Sequence, residues 1–238
     1  ENNYFSLDRL KLNIANKDIK IYGEIFCSEL KPWPNNLIEP GCMGWYAYLP
    51  TMECFHGILS MDHKLKGSLF INGSEIDFDN GRGYIEKDWG RNFPKNWFWT
   101  QANNFKDTNL SLSASLATIP WRSRQFTGFI IALNTKDELY RFAPYRNSKI
   151  VSVKYSDNKF TLTVKRKNLT LKIDSVKGRK YSTLYAPDKR DMIPKVNEYL
   201  DSNVSIQLNE GENILLKDEC SNAALEMVGD MEVLVKDI

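Results

Sequence analysis

The sequence predicts an all-β, antiparallel protein that forms either barrels or two packed curved sheets, with at most one or two short helices. Apolar and polar residues alternate with period two from end to end, turn-type dipeptides separate the runs, and helical periodicity is nearly absent. Leu10, Leu12 and Ile14, followed by Ile19, Ile21 and Ile25, read as a hairpin over residues 6–26 that turns near Asn16-Lys17. Because a strand pattern begins so close to Glu1, a native N-terminal segment is expected ahead of it. Pro32, Pro34 and Pro40 make residues 31–44 an extended loop. Residues 45–49 and 55–61 read as strands, and Asn72-Gly73 between two apolar runs is a primed-turn hairpin signal.

Further strands are expected at residues 110–116, 125–133 and 139–142. A three-strand meander follows, with Val151, Val153 and Tyr155, then Phe160, Leu162 and Val164, then Leu169, Leu171 and Ile173 on one face. Its turns fall at Asp157-Asn158 and Lys167-Asn168. Residues 191–200 are the one helix candidate, with Pro194 tolerated in a first turn. Residues 204–208, 214–216, 223–228 and 231–235 return to strands, which brings the expected number to about sixteen, the range of closed or curved sheets. A division near residues 120–124 gives an N-terminal β region, 1–122, and a C-terminal meander or barrel, 123–238, packed tightly on the first.

Charge narrows the function classes. With 32 Lys plus Arg against 30 Asp plus Glu, the chain has no basic field to draw in nucleic acid. The basic run Lys165-Arg166-Lys167 reads as a solvated hairpin turn. Cys27, Cys42, Cys54 and Cys220 form no C-x-x-C pair, so a disulfide framework and a zinc knuckle are both disfavoured, and a reducing, cytoplasmic setting is expected. No apolar run reaches the roughly 18 residues of a membrane helix. That disfavours an integral membrane segment and leaves peripheral membrane access open.

The densest chemistry lies in GYIEKDWGRNFPKNWFWTQANNF, residues 83–105. In an extended strand Tyr84, Glu86 and Asp88 share one face, and Ile85, Lys87 and Trp89 share the other. If that first face is buried, two carboxyls repel and one stays protonated as an acid. If it is not, Glu86 and Asp88 pair with Lys87, Arg82 or Arg91 as a structural turn. On the next strand Trp97, Trp99, Gln101, Asn103 and Phe105 alternate. Indoles beside amides suit a pocket for a flat or prenylated molecule, and they equally suit plain core. His56 is a candidate proton carrier or polar contact, while His63 is expected in a turn. The two give no metal-triad spacing, and no metal site is assigned. No serine-hydrolase elbow or dinucleotide fingerprint is present, so no cofactor is assigned.

The same segment resembles the central motif of the tocopherol cyclase family, in which a Glu-Lys-Asn/Asp-Trp-Gly turn leads through Phe-Pro to Trp-Phe-Trp and Gln. MECFHGILSMDHKLKGSLFINGSEIDF and NAALEMVGD resemble the family too, so the likeness extends over residues 40–235. A more distant similarity is to carotenoid hydratase-like proteins built from lipocalin-like barrels. The resemblance implies a lipocalin-like fold and cofactor-independent closure of a chromanol ring on a prenylated quinol. It implies Glu86 and Asp88 as acids, with His56, Tyr84, Trp89, Trp97, Trp99, Gln101 and Asn103 around the substrate. Where the plant motif has Asn, this chain has Asp88. The other outcome on the same fold is a lipocalin-like carrier of a hydrophobic ligand without catalysis.

Overall fold

The computed structural model describes residues 3–121, 124–189, 191–236 and 238. The chain divides into two units, Glu1–Pro34 with Gly57–Lys87, and Asn35–His56 with Asp88–Ile238. The division expected near residue 122 falls between two paired strands of the second unit, and residues 122 and 123 lie outside the described residues. No helix among the described residues is long and apolar enough to cross a membrane.

The first sheet contains β1 (Tyr4–Phe5), β2 (Arg9–Ala15), β3 (Lys20–Ser28), β4 (Cys54–Ile71), β5 (Ser74–Asp77) and β6 (Arg82–Gly90). They pair in the order β1-β2-β3-β4-β5, and β6 also pairs with β4. The alternating Leu10, Leu12 and Ile14 are half-buried on β2 while Lys11 and Asn13 are exposed, as period two requires. The β2–β3 turn is set by Asn16, whose Oδ1 accepts the N–H groups of Asp18 and Ile19 at 2.9 and 2.8 Å. Asn72 and Gly73 have φ of 50° and 86°, the primed turn that their dipeptide predicts. Inside the first unit, Asp62 is buried and receives hydrogen bonds from Arg82 Nε and Nη2, each at 2.8 Å.

The second sheet belongs to the second unit. Its strands are β7 (Trp97–Ala102), β8 (Ser111–Trp121), β9 (Arg124–Asn134), β10 (Leu139–Phe142), β11 (Lys149–Tyr155), β12 (Lys159–Arg166), β13 (Leu169–Val176), β14 (Ser182–Asp188), β15 (Asp191–Glu210) and β16 (Asn213–Val228). The order is β10-β9-β8-β7-β16-β15-β13-β12-β11, with β14 on β15, and every described pairing is antiparallel. One face of this sheet forms a continuous core of Phe98, Leu112, Leu116, Ile131, Leu133 and their neighbours, with Phe98 stacked on Phe160 at 4.0 Å between ring centroids.

Four local expectations are corrected. Residues 191–200 are the start of β15, not a helix. Glu198 and Tyr199 pair with Glu226 and Leu225, and Pro194 sits at a register shift against β14, where its missing N–H is tolerated. Residues 231–235 form the one described α-helix, α1 (Met231–Val235), because Asp230 Oδ1 accepts the N–H groups of Glu232 and Val233 as an N-cap. Residues 45–49 are not a strand, since Gly44–Tyr48 forms a 3-10 turn. In the meander, a bulge between Ile150 and Ser152 moves Val151 off the core face, leaving it 54% exposed, and Ile150 packs there with Val153.

Candidate active site

β6 passes its motif from the first unit into the second. Tyr84 and Glu86 lie in the first unit, and the Tyr84 hydroxyl donates a hydrogen bond to Glu86 Oε2. Asp88 lies in the second unit, two residues further along the same strand. Its Oδ1 is 2.7 Å from Nδ1 of His56, which is 32 residues away in sequence. An imidazole and a carboxylate at this distance share a hydrogen bond and can store or pass a proton. The Asp88 side chain is 29% exposed and that of His56 is 15% exposed.

The loop that precedes β4 fixes the backbone of His56 on both sides. The His56 N–H donates to Met43 Sδ at 3.2 Å, and Cys42 Sγ donates to the His56 carbonyl at 3.0 Å. Trp89, 47% exposed, stacks on Phe55 at 5.6 Å with planes 14° apart. Gly90 has φ +153°, and a Cβ there would stand 2.0 Å from the Glu53 carbonyl oxygen, so the motif's glycine lets the chain pass close beside β4.

His63 is not in a turn. It lies in the middle of β4, 3% exposed, with Nδ1 3.2 Å from Ser60 Oγ. Burial pushes its imidazole below the ordinary histidine value, against the opposing pull of Asp62. Of the chain's two histidines, one is therefore structural and the other faces a motif carboxylate.

β7 presents two chemically distinct faces. Phe98, Thr100 and Ala102 enter the main core, whereas Trp97, Trp99 and Gln101 alternate onto the other face. Trp97 is 6% exposed and packs with Ala186, Val196 and Val228, with Phe93 edge-on at 6.2 Å. Its indole Nε1 donates to Glu226 Oε2 at 2.6 Å. Trp99 is half-buried against the same cluster and lies opposite Ser115 on one side and Glu226 on the other. Gln101 lies between Ser113 and Ala224, and its Nε2 is buried without a hydrogen-bond partner among the described residues. Asn103 follows the end of β7 and is half-buried. Phe105, expected beside the tryptophans, is 4% exposed in the main core instead. β7 ends at Ala102, so the alternation does not carry across the loop, and Phe105 bridges to Cys220.

Residues 23–229 match the family model described as tocopherol cyclase-like. The chain belongs to this family. Over 197 residues it is 24% identical to a probable chloroplastic tocopherol cyclase of Oryza sativa subsp. japonica, covering 78% of this chain and 42% of that protein. Over 199 residues it is 24% identical to the chloroplastic tocopherol cyclase of Zea mays, covering 78% and 41%. The chain thus spans about two-fifths of the length of these curated relatives. Among solved structures, it is similar to kievitone hydratase from Nectria haematococca, with TM-score 0.52 and 15% identity over 94% of this chain and 65% of that one. It is also similar to CghA with Sch210972, with TM-score 0.55 and 8% identity over 94% and 65%. At these identities the likeness is one of fold, and it agrees with the all-β, lipocalin-like class.

Within the tocopherol cyclase-like segment, sequence reasoning passed over Glu226, Ser113 and Ser115, which surround Trp99 and Gln101. A signal was present in NAALEMVGD, where Ala224, Glu226 and Val228 share one face and Glu226 is the charged residue of that apolar row. Glu198 was missed as well. It lies directly opposite Glu226 on β15, and burial pushes its carboxyl above the ordinary glutamate value.

Proposed function

We propose that the chain supplies the acid and the ligand wall of a tocopherol cyclase-like enzyme that closes a ring on a prenylated quinol without a cofactor. The observation that carries this reading is the 2.7 Å contact between His56 and Asp88, which joins a motif carboxylate to one of only two histidines in the chain. In the reaction, the π electrons of a trisubstituted alkene take up a proton from the acid, and a tertiary carbocation forms. A lone pair of the phenolic oxygen closes the new C–O bond, and the O–H proton returns to the conjugate base. The product is an isomer of the substrate, so no oxidant, reductant or co-reactant enters.

Asp88, with His56 orienting it and relaying the proton, is the acid in this reading. Glu86, held by the Tyr84 hydroxyl, is the second acid candidate. The face of Trp99 stabilises the cation through its π electrons, and Trp97 backs it. Gln101 Nε2 donates to a quinol oxygen, replacing in the buried site the hydrogen bond that water would provide. Asn103 and Trp89 are further substrate contacts. The arrangement also supports a carrier reading, because Trp97 is closed into a packed cluster and the Asp88 side chain remains 29% exposed.

The test incubates full-length protein with a prenylated hydroquinone and follows the chromanol by mass spectrometry. Asp88→Asn is expected to lower turnover about 100-fold, the usual scale for losing a general acid, with ligand affinity unchanged. Glu86→Gln is run in parallel, and a comparable loss there moves the proton-donor role to Glu86. Unchanged turnover in both variants overturns the assignment. Tight binding by the wild type without turnover establishes the carrier.

A further inference from the structure

In the second unit, residues 35–49 present apolar side chains to solvent at the apex of a well-fixed loop. Leu37 is 89% exposed, Ile38 78%, Tyr48 60% and Trp45 46%. Local hydrogen bonding explains why Leu37 and Ile38 point outward. Asn36 Oδ1 accepts the N–H groups of Ile38 at 2.9 Å and Glu39 at 2.8 Å, and the Asn36 N–H donates to the Glu39 carbonyl at 3.1 Å. This tight turn leaves the Leu37-Ile38 pair as its tip.

Trp45 and Tyr48 lie three residues apart in the 3-10 turn, so they share one side of it. The Tyr48 hydroxyl donates to the Leu37 carbonyl at 2.8 Å and joins the two halves into one patch. The loop is anchored beneath this patch. Glu39 Oε2 receives Arg141 at 3.1 Å and Arg146 at 3.2 Å, and the Tyr145 hydroxyl donates to the Cys42 carbonyl at 2.6 Å. An apolar tip held rigidly in water is costly unless something covers it.

The residue types select the cover. Two aliphatic side chains at an apex with Trp and Tyr beside them are the composition of an interfacial anchor, the aliphatic groups entering acyl chains and the rings lying among headgroups. The loop's own carboxylate, Glu39, is neutralised by two arginines and adds no repulsion toward a lipid surface. Four side chains expose a few hundred Å2, a patch of recognition size but well under the roughly 800 Å2 per partner of a stable protein interface. A second copy of the chain therefore fits less well than a bilayer. We propose that residues 35–49 are a membrane-docking loop that seats Leu37 and Ile38 in the interface of a neutral phospholipid bilayer.

The inference stands apart from the proposed reaction, although Cys42 and Met43 of the same loop hold His56 in place. Its test is flotation of full-length protein with phosphatidylcholine vesicles, repeated with vesicles containing phosphatidylserine. Wild-type protein is expected to float with both, and Leu37→Ser with Ile38→Ser is expected to lower vesicle affinity at least 10-fold with an unchanged melting temperature. Trp45→Ala is expected to give a smaller loss. Absence of flotation by the wild type overturns the proposal, and so does equal flotation by the double variant or flotation that requires phosphatidylserine. Self-association of the wild type that the double variant abolishes, without flotation, overturns it in favour of a protein partner. Flotation is read without turnover, so its failure and a failed cyclase assay are separate results.

Discussion

The two faces of β7 differ in how completely they are filled. On the inner face Phe98 and Thr100 are fully buried, Phe98 stacks on Phe160, and the Thr100 hydroxyl donates to the Ala224 carbonyl at 2.8 Å. On the other face Trp99 and Gln101 are only half-buried, their neighbours across β8 are the small Ser113 and Ser115, and the Gln101 amide nitrogen has no partner among the described residues. Close packing with satisfied polar groups marks a face optimised for stability. Small residues around an indole and an orphaned donor leave the second face less completely packed and satisfied, as the ligand wall proposed above requires.

The largest expected effect separates the faces. Phe98→Ala should cost about 3–5 kcal/mol, the range for truncating a buried phenylalanine, seen as a large fall in the urea midpoint. Trp99→Ala should cost only about 1 kcal/mol of stability while weakening binding of a prenylated phenol. Equal stability losses would show that the second face is ordinary core. A smaller effect probes the polar balance of the inner face: Thr100→Val keeps the shape and removes one hydrogen bond, for a loss of about 1 kcal/mol in the same denaturation measurement.

The smallest effect concerns Glu198, which adjoins the second face across from Glu226. Burial raises its carboxyl above the ordinary value of 4.5. A carboxyl raised on folding favours the fold while protonated. That contribution is complete below the unfolded value and is lost as pH rises through the folded one. Glu198→Gln should therefore raise the melting temperature slightly near neutral pH and leave it unchanged at about pH 4. A loss of stability at neutral pH would mean that the charged carboxylate is held by a favourable partner.

Much of this comparison was legible in the sequence. Alternation placed Trp97, Trp99 and Gln101 together opposite Phe98, because a strand side chain's face depends only on its position parity. Parity also explains the failures: it continues only while the strand does. β7 stops at Ala102, so Phe105 joins the inner core, and a bulge at Ile150 turns Val151 out. The helix expected at residues 191–200 failed for another reason. Its local pattern fits either element, and pairing with β14 and β16 selects the strand.

The amino-acid order by itself determined the all-β class, the hairpin at Asn72-Gly73 and the motif over residues 83–105, since each rests on neighbours within a few residues. Tertiary structure decided that Asp88 meets His56, that Trp97 binds Glu226 across 129 residues, and that His63 is buried. Those contacts depend on strand register between distant segments. Register is fixed by which whole faces can be buried together, a property no short stretch of sequence contains.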